Sequence, residues 1–187
     1  MFTRVVTAIA FLTACGCAKP TYPARVIIIR HAEKPGDENE RGLSAVGKKR
    51  ADALTELFQK SDSRPNPLPA PDFIFASSAS KRSDRPIETV TPLAKKLKLD
   101  IDSRFANDDY TKLAAELLTN PKYEGKTALI CWHHGNIPEL AEALKARDVP
   151  DKWKDSVFDR VWVVTYEAGR GKLTKLPQTL LPGDAEK

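Results

Sequence analysis

Cysteine is scarce in this chain, and its placement excludes two common ways of bracing a small domain. Of three cysteines, Cys15 and Cys17 lie in or beside an apolar leader and only Cys131 sits in the body. Neither an internal disulfide framework nor a cysteine zinc site can be built from one such residue. Cys131, inside TALICW, reads as a small buried strand residue. Internal repeats and low-complexity blocks are also missing. So is any Arg/Lys-rich tract with interleaved aromatics: the net charge of +5 is spread as lysines over predicted helix surfaces, which argues against nucleic acid as a partner. The 187 residues fit one domain with a substantial core and leave little room for a second.

The chain also lacks a leader long enough to cross a bilayer. The run after Arg4, VVTAIAFLTACGCA, has about the length of a signal-peptide core. Residues 1–18 are therefore expected to be an export signal, 19–25 a linker, 26–181 the folded domain and 182–187 a loose polar tail. Leu12-Thr13-Ala14-Cys15 resembles the bacterial lipoprotein signal, which implies lipidation of Cys15. Cleavage after Ala18 and a retained apolar N-terminus compete with it. The expectation is an exported periplasmic or cell-envelope protein that touches the membrane only through that lipid.

What the chain does have is a set of short apolar runs that end in polar clusters. Val26–Lys34, VIIIRHAEK, reads as a buried parallel strand opening on Arg30-His31. A guanidinium beside an imidazole at a strand end suits phosphate chemistry, because the cation grips phosphate oxygens while a neutral ring nitrogen attacks phosphorus. A chance Arg-His pair is the plain alternative. Ser44 is a predicted N-cap for a helix to about Lys60, with Gly47 allowing close packing on the strand. Ser61–Pro71 is a proline-rich connection. Phe73–Ala76 is a second strand, followed by the Ser77–Arg85 turn and a helix from about Pro86 to Lys98.

Leu99–Ser103 is a candidate edge strand, and Asp108 and Asp109 open a helix through Leu118. Thr127–Trp132 is a buried strand that delivers His133-His134-Gly135-Asn136. Alternation along a strand sends neighbours to opposite sides, so only one of the two histidines is expected to face a site. The helix Ile137–Lys145 and a hairpin of Asp159–Tyr166 with Lys172–Leu176 complete the pattern. Strands alternating with helices imply a three-layer α/β/α sandwich with a mainly parallel sheet.

Taken together, the ordered clusters resemble the histidine phosphatase superfamily, the phosphoglycerate-mutase-like proteins, across nearly the whole domain. Arg30-His31-Ala32-Glu33 is similar to the family's opening Arg-His-Gly, with Ala32 in place of Gly. Leu43–Gly47 resembles its Leu-Thr-x-x-Gly segment, Arg85-Pro86-Ile87-Glu88-Thr89 its Arg-Ala-x-x-Thr block, and His134-Gly135-Asn136 its late histidine motif. The resemblance implies a phosphohistidine on His31 and a phosphate pocket of Arg30, Arg85 and His134, with no metal or other cofactor and a small phosphorylated substrate. Arg82 is a possible substitute for Arg85, and His133 leaves the late motif uncertain by one position.

The cations should also favour the neutral form of His31. A carboxylate must protonate the leaving oxygen: Asp108 is the candidate, ahead of Asp109 and then Glu33. The expected activity is hydrolysis of phosphomonoesters. A mutase-type phosphotransferase and a non-catalytic phosphate-binding envelope protein are the alternatives. A zinc site of His31, Glu33 and His134 has suitable ligand types, but the two arginines would repel the metal.

Overall fold

A computed structural model describes residues 21–37 and 39–185. The leader, Cys15 and Cys17 lie outside these residues. In chain order the elements are β1 (Arg25–Arg30), α1 (Ala45–Ala53), β2 (Phe73–Ala76), α2 (Arg85–Leu97), β3 (Ile101–Asp102), α3 (Tyr110–Thr119), β4 (Thr127–Trp132), α4 (Ile137–Ala143), β5 (Ala146–Arg147), β6 (Arg160–Glu167) and β7 (Arg170–Pro177). Short 3₁₀ turns extend α1 through Phe58 and precede α3 and α4.

The strands form one mixed sheet in the order β3-β2-β4-β1-β6-β7-β5. The block β3-β2-β4-β1 is parallel, and β6 joins β1 antiparallel. The expected α/β sandwich is thus present, with β6 running antiparallel between the parallel block and the parallel edge pair β7-β5.

Strand β1 shows why the sequence selects this arrangement. Val26, Ile27, Ile28 and Ile29 are all fully buried, and β-branched residues suit a pleated surface covered on both faces. Val26 and Ile28 pack with Leu113 and Leu117 of α3 and Leu140 of α4. Ile27 and Ile29 pack on the other face with Leu57 and with Val90 and Leu93 of α2. Each such side chain contributes about 1.5–3 kcal/mol on burial. Cys131 is buried on the α2 face; burial pushes its thiol well above the ordinary range.

At the C-terminus the described residues depart from the expected loose tail: over 182–185, Asp184 is held in the interior by Arg50. The Arg50 side chain is only 6% exposed, and so is that of Asp184. Arg50 donates to both oxygens of Glu33 from Nε (2.9 and 3.1 Å), to Glu33 Oε1 and Asp184 Oδ1 from Nη2 (2.7 and 2.8 Å), and to Asp184 Oδ2 and Gln178 Oε1 from Nη1 (2.8 and 3.2 Å). Asp184 Oδ2 also accepts from the Leu180 and Leu181 amides. Burial alone would raise the Asp184 carboxyl, but these donors outweigh it and hold it at about 2. A polar sequence conceals such docking, since charge is normally a sign of exposure.

Removing one member of a buried ionic network leaves the others uncompensated. Asp184→Ala should therefore cost about 3 kcal/mol of stability, read from the denaturant midpoint. An unchanged midpoint would show that the tail is not part of the folded domain.

Candidate active site

The site is built by register. Arg30 of β1 pairs with Trp132 of β4, and the His31 amide continues the ladder by donating to the Trp132 carbonyl at 3.0 Å. His31 thus lies beside His133, one step past each strand end. Their rings meet edge-on with centroids 5.1 Å apart. Arg30 and His134 belong to the opposite face, which carries Ile28, Ile130 and Trp132.

Alternation along the strand holds, but the expectation that only one histidine overlooks the site does not. Beyond the ends of the strands, both faces border the same crevice. A concavity of about 510 Å³ there is lined by Ser78, Arg82, Arg85, Asn107, His133 and His134 among others. Such a crevice at the carboxyl ends of parallel strands is where open α/β sheets place ligands.

His31 is 3% exposed. Its Nδ1 lies 2.7 Å from its neighbour's carbonyl, Ala32 O. A carbonyl only accepts, so Nδ1 carries the hydrogen and the lone pair resides on Nε2. Among the described residues Nε2 has no hydrogen-bond partner. Burial, with help from His133, Arg30 and Arg85, drives the ring pKa down to about 3, against the pull of the Ala32 carbonyl. The ring is neutral at ordinary pH.

The loop that holds this geometry is braced from α1 and α2. The Ala32 amide donates to Thr89 Oγ1 (2.9 Å), which in turn donates to the Arg85 carbonyl (2.7 Å). Ala32 needs no glycine conformation; its methyl packs with Leu43 and Ala51. Ser44 caps α1 by accepting from the Gly47 amide at 3.0 Å. A Cβ on Gly47 would stand 2.4 Å from the Glu33 carbonyl, so the close approach requires glycine.

Arg30 is buried, and its Nη1 donates to the carbonyls of Lys154, Asp155 and Val157. Its guanidinium carbon sits 3.8 Å over the Phe158 ring. Burial lowers its pKa to about 10, which leaves it charged at neutral pH. Arg85 opens α2 and donates from Nη1 to the Glu40 and Arg41 carbonyls. Arg82 is exposed, whereas Arg85 is close enough for its charge to depress His31 and His133. His134 Nε2 lies 3.1 Å from Asp155 Oδ1.

Three nitrogens near the strand ends are buried without partners: Arg85 Nε and His134 Nδ1, whose residues line the crevice, and Arg30 Nε, whose residue does not. Native proteins leave few such groups unsatisfied.

The candidate acids separate by their partners. Asp109 is bound to Lys112 (2.6 Å) and to the Ala106 amide, and this pairing lowers its pKa. Glu33 is committed to Arg50. Asp108 accepts from Asn136 Nδ2 at 3.3 Å, two residues beyond His134. Sequence reasoning missed Asp155, Phe158 and Arg50. The first two lie in a stretch with no periodicity, and Arg50 looks like any helix-surface cation. Among the described residues no three His, Cys, Asp or Glu side chains could hold a metal ion, and no helix is long and apolar enough to cross a membrane.

No family model and no curated protein matches this sequence. Solved structures do match. A protein described as the phosphohistidine phosphatase SixA from Agrobacterium tumefaciens aligns over 83% of this chain and 99% of its own, at 22% identity and a TM-score of 0.51. One described as an α-ribazole-5′-phosphate phosphatase from Escherichia coli covers 83% and 96%, at 14% identity and 0.54. The phosphoglycerate mutase of Bacillus anthracis covers 83% and 93%, at 16% identity and 0.52.

This chain has the histidine phosphatase fold. The same comparison corrects the expected location. The SixA structures match the folded domain and lend the leader no support, so export and an envelope anchor through Cys15 are withdrawn.

Burial of the two facing imidazoles has a consequence for acid stability. His133 is lowered to about 4, chiefly by burial and then by Arg85. In the unfolded chain both rings take up a proton near pH 6.5, while the folded protein resists until about pH 3 to 4. The unfolded state binds more protons in that window, so stability is complete above pH 6.5 and erodes as pH falls below it. His133→Asn should lose less stability than the parent between neutral pH and the lower end of the window, measured by denaturant midpoints. Equal losses would contradict the assignment.

Proposed function

We propose that this protein hydrolyses phosphomonoesters through a phosphohistidine on His31, without a metal. One observation carries the reading: an imidazole fixed with its lone pair on Nε2 lies against His133 and within reach of the Arg30 and Arg85 charges, and Arg30 Nε, Arg85 Nε and His134 Nδ1 nearby are buried without partners. A phosphoryl group supplies the oxygens that this set lacks, and fixed cations in a partly dry pocket stabilise the charge spread over those oxygens.

In the first step His31 Nε2 forms a bond to phosphorus as the bond to the ester oxygen breaks. Arg30, Arg85 and His134 hold the equatorial oxygens, and Asp108 gives its proton to the leaving oxygen. In the second step a water attacks phosphorus, its proton goes to Asp108, and the bond to His31 breaks. Inorganic phosphate and the alcohol are the products. The short connection of residues 77–84 between β2 and α2 favours transfer to water over return to product. The substrate is a small phosphorylated molecule.

Phosphate release by purified wild-type, His31→Ala and Asp108→Asn protein tests the scheme. His31→Ala should abolish turnover, and full retention would overturn the reading. Asp108→Asn should slow hydrolysis of an alkyl phosphate by about 10²-fold or more. An aryl phosphate with an acidic leaving group should be slowed far less. Equal slowing of both would remove Asp108 as the acid.

A further inference from the structure

We propose that Asp155 is a positioning residue that lets His134 take up a proton when phosphate binds. The inference rests on the proposed role of His134 at the phosphate. Residues 154–158 reach the site twice. The carbonyls of Lys154, Asp155 and Val157 receive Arg30 Nη1, and the Asp155 carboxylate faces His134 Nε2 at 3.1 Å. The segment is braced internally: Trp153 Nε1 donates to the Val157 carbonyl at 2.8 Å, and the Val157 amide donates to the Lys154 carbonyl at 3.0 Å. The Asp155 side chain itself is 93% exposed. Its contribution therefore lies in what it does to the imidazole rather than in stability.

A carboxylate only accepts hydrogen bonds, so His134 Nε2 must carry a hydrogen. In the neutral ring the lone pair then sits on Nδ1, the atom that is buried without a partner. An ionised phosphate oxygen also only accepts. It repels that lone pair and bonds well only to an Nδ1–H, which requires the imidazolium. The groups acting on the ring are Arg30 and Lys34 from the end of β1, His133 from the end of β4, and Asp155. Burial and the cations oppose protonation, and Asp155 favours it. The arriving phosphate adds negative charge on the other side of the ring and completes the balance. The Asp155 main chain meanwhile holds Arg30, so a side-chain substitution separates the two contacts.

The chain has three histidines, which makes ring resonances simple to assign by NMR. We would titrate wild type, Asp155→Asn and Asp155→Glu with and without inorganic phosphate. The pKa of His134 in the phosphate complex should fall by about half a unit or more in Asp155→Asn. Phosphate affinity near neutral pH should drop by about threefold or more, and Asp155→Glu should restore both. A His134 that binds phosphate and titrates identically in all three proteins would overturn the role of Asp155 alone. Failure of wild type to bind phosphate would overturn the proposed function and this inference with it.

Discussion

The parallel pairing of β1 with β4 is the constraint on which the site depends. With Arg30 opposite Trp132, the next residues, His31 and His133, must lie side by side on the α2 face, while Arg30 and His134 lie together on the other. A slip of one residue would send every side chain of β1 to the wrong layer. The fully buried Val26–Ile29 run makes that slip prohibitively expensive, because these four apolar side chains fill both cores. The same residues that stabilise the sheet therefore fix which nitrogen faces which.

Around that axis, ordinary backbone groups set the chemistry. The Ala32 carbonyl decides the tautomer of His31, and the Ala32 amide ties the loop to Thr89 at the start of α2. Glu33, next in sequence, is gripped by Arg50, which also draws in Gln178 and Asp184 from the end of the chain. The C-terminal segment thus braces the loop that carries His31. Arg30 is fixed from a third direction by the carbonyls of residues 154–157 and the face of Phe158. Four separate stretches of sequence hold two adjacent residues in place, as a preorganised site requires.

Much of this was legible in the residues themselves. A run of Val and Ile ending in Arg-His, and TALICW ending in His-His-Gly-Asn, announce strand ends because apolar β-formers give way abruptly to charge. Gly47 announced a close approach, and Glu33 turned out to be what it approaches. Other features were hidden for physical reasons. His133 was discounted because alternation was extended past the point where a strand still has two separate faces. Asp184 looked like loose tail because one acidic residue carries no sign of a buried arginine far away in sequence. Asp155 sits in an irregular loop, where position depends on the packing of Trp153 and Val157 rather than on any pattern. The leader could not carry a location, because an apolar run reports length and hydrophobicity, and neither names a destination.

The central claim is that a neutral, buried His31 is the atom that receives the phosphoryl group. It is tested most directly by quenching the protein during steady turnover of a phosphomonoester and mapping any covalent phosphate by mass spectrometry. The account predicts a single phosphate on His31, lost in acid and retained in alkali. Phosphate found instead on a serine of residues 77–83, or an unmodified His31 throughout steady hydrolysis, would contradict it.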